Sequence, residues 1–136
     1  MNKLKKLSTL ALALFISMAS MASMTAEAKN DKTIEKARMA VENASPDDWK
    51  TYAKSAKMLI GKKSSMTEAK QWIEKSISIR ETSSNLEIFG DYYAANNVPR
   101  KASEYYIKSM KKMREENPGC NVSEIQAKVI ATSKMK

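Results

Sequence analysis

Few groups in this chain can carry chemistry. Its 136 residues include no histidine and a single cysteine, Cys120. The lack of histidine excludes imidazole general bases, histidine-based triads and histidine metal ligands. One thiol makes neither an internal disulfide nor a multi-cysteine zinc site. No GxGxxG or phosphate-loop pattern occurs. The expectation is therefore a non-enzyme with no catalytic residues, no metal and no cofactor. Charge is what recurs at regular spacing. Lys50, Lys54 and Lys57 fall at i, i+4 and i+7, along one edge of a helix. Glu87 and Asp91 fall at i and i+4, and Lys101, Lys108, Lys111 and Lys112 crowd a later stretch, with Glu104 placed to pair with Lys108. Such groups recognise opposite charge, or pair with each other at little gain apiece. Glu115-Glu116 reads as a solvated helix end. Cys120, after Pro118-Gly119, is either a small buried residue under a last helix or a thiol open to an intermolecular disulfide, which would make a homodimer.

The elements that position these residues begin after a leader. Lys3, Lys5 and Lys6 precede a mostly apolar run from Leu7 to Ala22, and Ala26-Glu27-Ala28 has the small-x-small form of a cleavage site. Residues 1–28 are expected to be a signal peptide, and the mature chain, 29–136, to be periplasmic or secreted. The run is short for a span and carries serines, so no stable membrane span is expected after processing. Export also disfavours nucleic acid as a partner. Removing Lys3, Lys5, Lys6 and Glu27 takes the net charge from +9 to +7, spread along the chain rather than blocked.

The remainder is rich in Ala, Lys, Glu and Met and poor in Gly and Pro, which predicts an all-α domain. A first helix is expected over Lys32–Asn43, capped by Asp31, with Ile34, Ala37, Val41 and Ala44 on one face. Ser45-Pro46-Asp47-Asp48 is expected to start the second helix, with Ser45 as cap and Pro46 in first position. Its inward stripe is Trp49, Tyr52, Ala53, Ala56, Leu59 and Ile60, and Gly61 to Ser65 should be the turn. Ser65 with Glu68 has capping-box spacing for a third helix, with Ala69, Trp72, Ile73, Ser76 and Ile77 inward. Ser84 with Glu87 repeats that spacing ahead of Leu86, Phe89, Gly90 and Tyr93. Asn96-Asn97 should end this fourth helix. Pro99 opens a fifth, whose stripe is Ala102, Tyr105, Tyr106, Ser109, Met110 and Met113. Asn117-Pro118-Gly119 stops it, and Asn121 with Glu124 should cap a sixth, with Val122, Ile125 and Val129 inward. At these spacings most of Trp49, Trp72, Tyr92, Tyr93, Tyr105 and Tyr106 read as core, Tyr92 as the partly exposed exception.

Leu86, Phe89, Gly90 and Tyr93, followed by Ala102 and Tyr106, resemble the tetratricopeptide repeat, whose pattern is W-x2-L-G-x2-Y and then A-x3-F. Trp49, Tyr52, Ala53 and Ala56, followed by Ala69 and Ile73, are similar to a more degenerate copy. Ala69 and Ala102 stand 33 residues apart, and Trp49 and Leu86 stand 37 apart, near the family period of about 34. The resemblance implies a short α-α superhelix of two hairpins flanked by single N- and C-terminal helices. It also implies a scaffold or adaptor that binds a peptide or partner segment on the concave face, built by the first helix of each hairpin. On that face Lys50 would lie beside Glu87 and Lys54 beside Asp91, with Lys57, Met58 and Ala95 completing the partner-binding surface. The alternative is a basic helical protein that binds anionic envelope surfaces or polymers.

Overall fold

A computed structural model describes residues 32–135, and among these every regular element is a helix. The leader, residues 1–28, and the expected cap at Asp31 lie outside the described residues. Residues 32–42 are helical (α1). They are followed by α2 (Trp49–Lys62), α3 (Met66–Ile79), α4 (Ser83–Ala95), α5 (Pro99–Glu116) and α6 (Ser123–Ser133). The fold is all-α, as composition predicts.

The helix boundaries depart from the expected caps in instructive ways. Residues 45–47 form a turn closed by the Asp48 N–H on the Ser45 carbonyl at 3.0 Å, so α2 starts later than Ser45-Pro46 implies. Asp48 is the cap: its carboxylate accepts from the Thr51 N–H at 3.1 Å and the Thr51 hydroxyl at 2.6 Å. These bonds hold its carboxyl below the usual range. Gly61 lies inside α2 rather than in the turn. Ser65 precedes α3 in a left-handed conformation with φ 50° and no side-chain cap. Glu68 is instead gripped by Arg38 of α1, Nε to Oε1 at 3.0 Å and Nη2 to Oε2 at 2.7 Å. The α4 box is made by Thr82 and Asn85, not by Ser84 and Glu87: Asn85 N–H donates to Thr82 Oγ1, and Thr82 N–H donates to Asn85 Oδ1. Thr82 is the last extended residue (φ −134°, ψ 159°), and Ser84 is already helical. At α6, Asn121 accepts from the Ser123 N–H, but Val122 takes the cap position.

α2 packs on α3, α4 on α5 and α5 on α6, and bonds from late in α3 and α5 to the first residues of α2 and α4 make the first two pairs antiparallel. The hairpins meet where α4 packs on both α3 and α2. The two hairpins repeat each other's backbone devices. Both first helices end on a Schellman motif. In α2, Ser64 N–H bonds Leu59 O and Lys63 N–H bonds Ile60 O; in α4, Val98 N–H bonds Tyr93 O and Asn97 N–H bonds Ala94 O. Lys63 (φ 49°) and Asn97 (φ 56°) are the left-handed residues. In both second helices a fully buried serine donates to the carbonyl of the residue that opens the first helix: Ser76 to Trp49 O at 2.8 Å, Ser109 to Ser83 O at 2.7 Å.

One core cluster joins Ile34 and Ala37 of α1 with Ala53, Ala56, Leu59, Ala69, Ile73, Ile88 and Phe89. A second holds Ala102, Tyr106 and Ile125, so α6 covers the outer side of α5. Close approach of α4 and α5 rests on Gly90, where a Cβ would overlap the Tyr106 ring. Phe89, Tyr92, Tyr93 and Tyr105 stack or tilt on one another with centroids 4.5–5.8 Å apart. They pack as core margin rather than as an open box, and Tyr92, Tyr93 and Tyr105 all remain partly exposed. No helix among the described residues is long and apolar enough to cross a membrane.

Candidate functional site

A trough of about 320 Å³ runs between α2 and α4, the first helices of the two hairpins. Its α2 wall carries Trp49, Lys50, Ala53, Lys54 and Lys57; its α4 wall carries Ser84 and Ile88. Ala53 and Ile88 are buried and make the floor. The three lysines are exposed, and none has an ion pair among the described residues. The Trp49 ring has two cations within cation–π range, Lys50 Nζ at 5.7 Å and the Arg80 guanidinium at 5.9 Å from its centroid.

The structure thus brings Lys50, Lys54 and Lys57 to one trough, as expected, but Glu87 and Asp91 do not line it. The serine bonds show why. They make Trp49 the counterpart of Ser83, an offset of 34, and Lys63 and Asn97 give the same offset. The expected rows used 37, because Trp49 was matched to Leu86. At 34, Lys50 corresponds to Ser84 and Lys54 to Ile88, which line the trough, and Lys57 corresponds to Asp91, which does not. Glu87 and Asp91 sit three residues, about one turn, further along α4 than Ser84 and Ile88, where α6 meets them.

There both acids are occupied. Lys128 of α6 reaches Glu87 Oε1 and Asp91 Oδ1, each at 2.7 Å, and Tyr106 Oη donates to Asp91 Oδ1 at 2.9 Å. Burial opposes the Lys128 charge, but the hydrogen bonds and charges of Asp91 and Glu87 outweigh it, so its pKa is raised. Tyr106 is pushed up by burial, then by Asp91 and Glu87. Both groups are moved away from ready proton exchange at neutral pH. The acidic edge expected for a partner is closed by the chain's own last helix. Met58 and Ala95 are partly buried and pack against the larger core cluster, so they support the trough's surroundings rather than line it. Sequence reasoning missed Ser84, Ile88, Arg80 and Lys128. The first two follow from the offset of 34; Lys128 was legible only as a cation one turn from Ile125.

Cys120 lies partly exposed in the turn before α6, its N–H bonded to Asn117 O at 3.0 Å. Among the described residues no group of His, Cys, Asp and Glu is placed to hold a metal ion. No protein-family model, curated protein or solved structure matches this chain.

Proposed function

We propose that this chain is an exported, non-catalytic interaction module of two tetratricopeptide-like hairpins, and that the trough between α2 and α4 takes a partner segment combining carboxylates with an apolar side chain. One observation carries this reading: three unpaired lysines and a tryptophan surround an apolar floor, and no carboxylate lines the trough. The floor would take the apolar anchor, the lysines would supply charge-assisted hydrogen bonds, and Trp49 is the type of residue that dominates binding energy at interfaces. The neighbouring acids do not repel such a segment strongly, because Lys128 neutralises much of their charge at contact distance.

The unpaired lysines also favour a second reading, an anionic envelope polymer held by charge alone. Short synthetic peptides separate the two. A peptide with glutamates flanking a leucine should change the fluorescence of Trp49, read in a Trp72→Phe background, and should persist at high salt. Poly-glutamate should bind at low salt and be lost as screening grows. If both ligands fade together with salt, the polymer reading stands and the peptide reading falls. If neither binds, or if Lys54→Glu with Lys57→Glu leaves peptide binding intact at unchanged helicity, the trough is not the binding surface.

A further inference from the structure

Trp49, the aromatic residue of the trough, is tied to Arg80 by a closed set of contacts. Asn85 is fully buried, and its amide donates to Ser76 Oγ at 3.1 Å and to the Arg80 carbonyl at 2.7 Å. Ser76 Oγ donates in turn to the Trp49 carbonyl at 2.8 Å. One side chain therefore places the backbones of both Trp49 and Arg80. The loop closes through their own side chains, since the Arg80 guanidinium lies 5.9 Å from the Trp49 ring.

Arg80 is exposed and has no carboxylate partner among the described residues. Trp49 is partly exposed and lines the trough, whereas Trp72, the other tryptophan, packs against the larger core cluster. The second hairpin shows what the fold itself requires. There Ser109 makes the same bond to Ser83 O, so Ser83 stands where the first hairpin has Trp49. By the 33-residue offset between the two serines, Met113 stands in the place of Arg80. The start of α4 is held without a ring or a cation, by Ser109 and by Glu116, which accepts from the Ser83 N–H at 3.2 Å. A cation near a helix C-terminus is favourable in itself, but that does not call for a tryptophan beside it. The Trp49–Arg80 pair is an addition made by the hairpin that carries the three trough lysines.

We propose that Arg80, which lines no wall of the trough, is a positioning residue for it: its guanidinium holds the Trp49 ring in place before a partner arrives. This rests on the trough being the binding surface. A ring already held loses less rotamer freedom on binding, so less of the interaction energy goes into ordering it. A guanidinium suits the task because the negative face of an indole attracts a cation, and the planar group stacks where an ammonium only points. A carboxylate partner would draw the guanidinium from the ring, and Arg80 has none. Lys50 also lies near the ring, at 5.7 Å, but it belongs to the trough wall. A partner's carboxylate that takes Lys50 leaves Arg80 as the cation that still holds Trp49.

Trp49 fluorescence in a Trp72→Phe background tests this in two ways. Anisotropy and acrylamide quenching report on the ring in the free chain, and titration with the peptide of glutamates flanking a leucine reports on binding. Arg80→Ala should lower the free-chain anisotropy and raise the quenching at unchanged helicity. It should also weaken the peptide about two- to fivefold, the range of a cation–π contact at an exposed site. Arg80→Met keeps bulk without charge and should behave like Arg80→Ala, while Arg80→Lys should recover part of both losses. If Trp72→Phe itself lowers helicity, the Trp49 indole N–H resonance in the chain with both tryptophans gives the same comparison. A free chain in which Arg80→Ala leaves Trp49 unchanged overturns the proposal; a weakened peptide would then mean that Arg80 touches the peptide itself. Full recovery in Arg80→Met also overturns it, because bulk rather than charge would hold the ring. A wild-type chain that binds no peptide removes the trough reading instead, and the free-chain measurements still decide whether Arg80 holds Trp49.

Discussion

Asn85 does more than its place in a serine-rich start implies. It is fully buried, and its amide donates to Ser76 Oγ at 3.1 Å and Arg80 O at 2.7 Å while accepting from the Thr82 N–H. Ser76 passes the chain on to Trp49 O, so one side chain fixes the end of α3, the start of α4 and, through Ser76, the start of α2. Asn85→Ala should cost about 1–3 kcal/mol, since it strands buried polar groups rather than merely deleting a contact; urea unfolding reads it. An equal loss in Ser84→Ala, which is exposed, would contradict the assignment of the cap. Gly90→Ala should destabilise by about 1–3 kcal/mol because the added methyl meets the Tyr106 ring. Combining it with Tyr106→Leu should show clear non-additivity, the smaller side chain making room. Additive losses would mean that the crossing relaxes elsewhere. Acid pH acts through Glu68. Its hydrogen bond to Arg38 lowers its carboxyl pKa from the ordinary 4.5. The stabilising contribution is therefore full above that value and is lost as pH falls through the depressed one. The melting-point gap between wild type and Glu68→Gln should be present at neutral pH and close in strong acid.

At the scale of elements, helix type and order were legible because the apolar stripes are regular. Register was not, for a definite reason. A tryptophan is the strongest letter in the repeat pattern, and Trp49 drew the alignment to itself. The structure uses Trp49 as the first residue of α2, with Tyr52, Ala56 and Leu59 three, seven and ten residues on. Leu86, Gly90 and Tyr93 follow Ser83 at the same steps. Ser76 and Ser109 then mark matching places that read in the sequence only as inward positions of their stripes. Capping boxes were misplaced because several Ser, Thr and Asn residues crowd each helix start, and only the backbone conformation selects among them. The Schellman turn of α2 uses lysine where glycine is favoured. Lys63→Gly should therefore stabilise by about 0.5–1 kcal/mol, relieving the left-handed strain by more than glycine's extra chain entropy costs. Asn97→Gly should gain less, since asparagine already tolerates that conformation. Thermal unfolding of the two variants decides it, and a destabilised Lys63→Gly would show that the lysine is held there by something other than the turn.

Across the whole molecule, α6 acts as an internal ligand. It lies on the outer hairpin as a foreign helix would: Ile125 enters the second core cluster, and Lys128 closes on two carboxylates with its ammonium 5.4 Å from the Tyr106 ring. The sequence showed a last helix after Asn117-Pro118-Gly119. It did not show that this helix occupies the two acids of the expected charged surface, because one lysine among so many carries no mark of burial. Two forces hold α6, and they respond differently to conditions. The apolar contacts of Ile125 ignore salt, while the Lys128 pairs are partly exposed and weaken as ions screen them. Lys128→Met keeps the length and loses the charge, so it should lower stability by about 1 kcal/mol, discounted for that exposure. It should also leave Glu87 and Asp91 mutually repelling. Because the Lys128 pKa is raised, its contribution is fully present below its ordinary 10.5 and is lost as pH climbs through the elevated value. The stability difference between wild type and Lys128→Met should thus shrink both in molar salt and in strong alkali, and be largest at neutral pH and low salt. Hydrogen exchange should place the loss in α6 and the facing side of α5, with α2 and α3 unaffected. Exchange that rises evenly across all helices would instead mean that α6 unfolds only with the whole chain, and that Lys128 fastens the domain rather than its last helix.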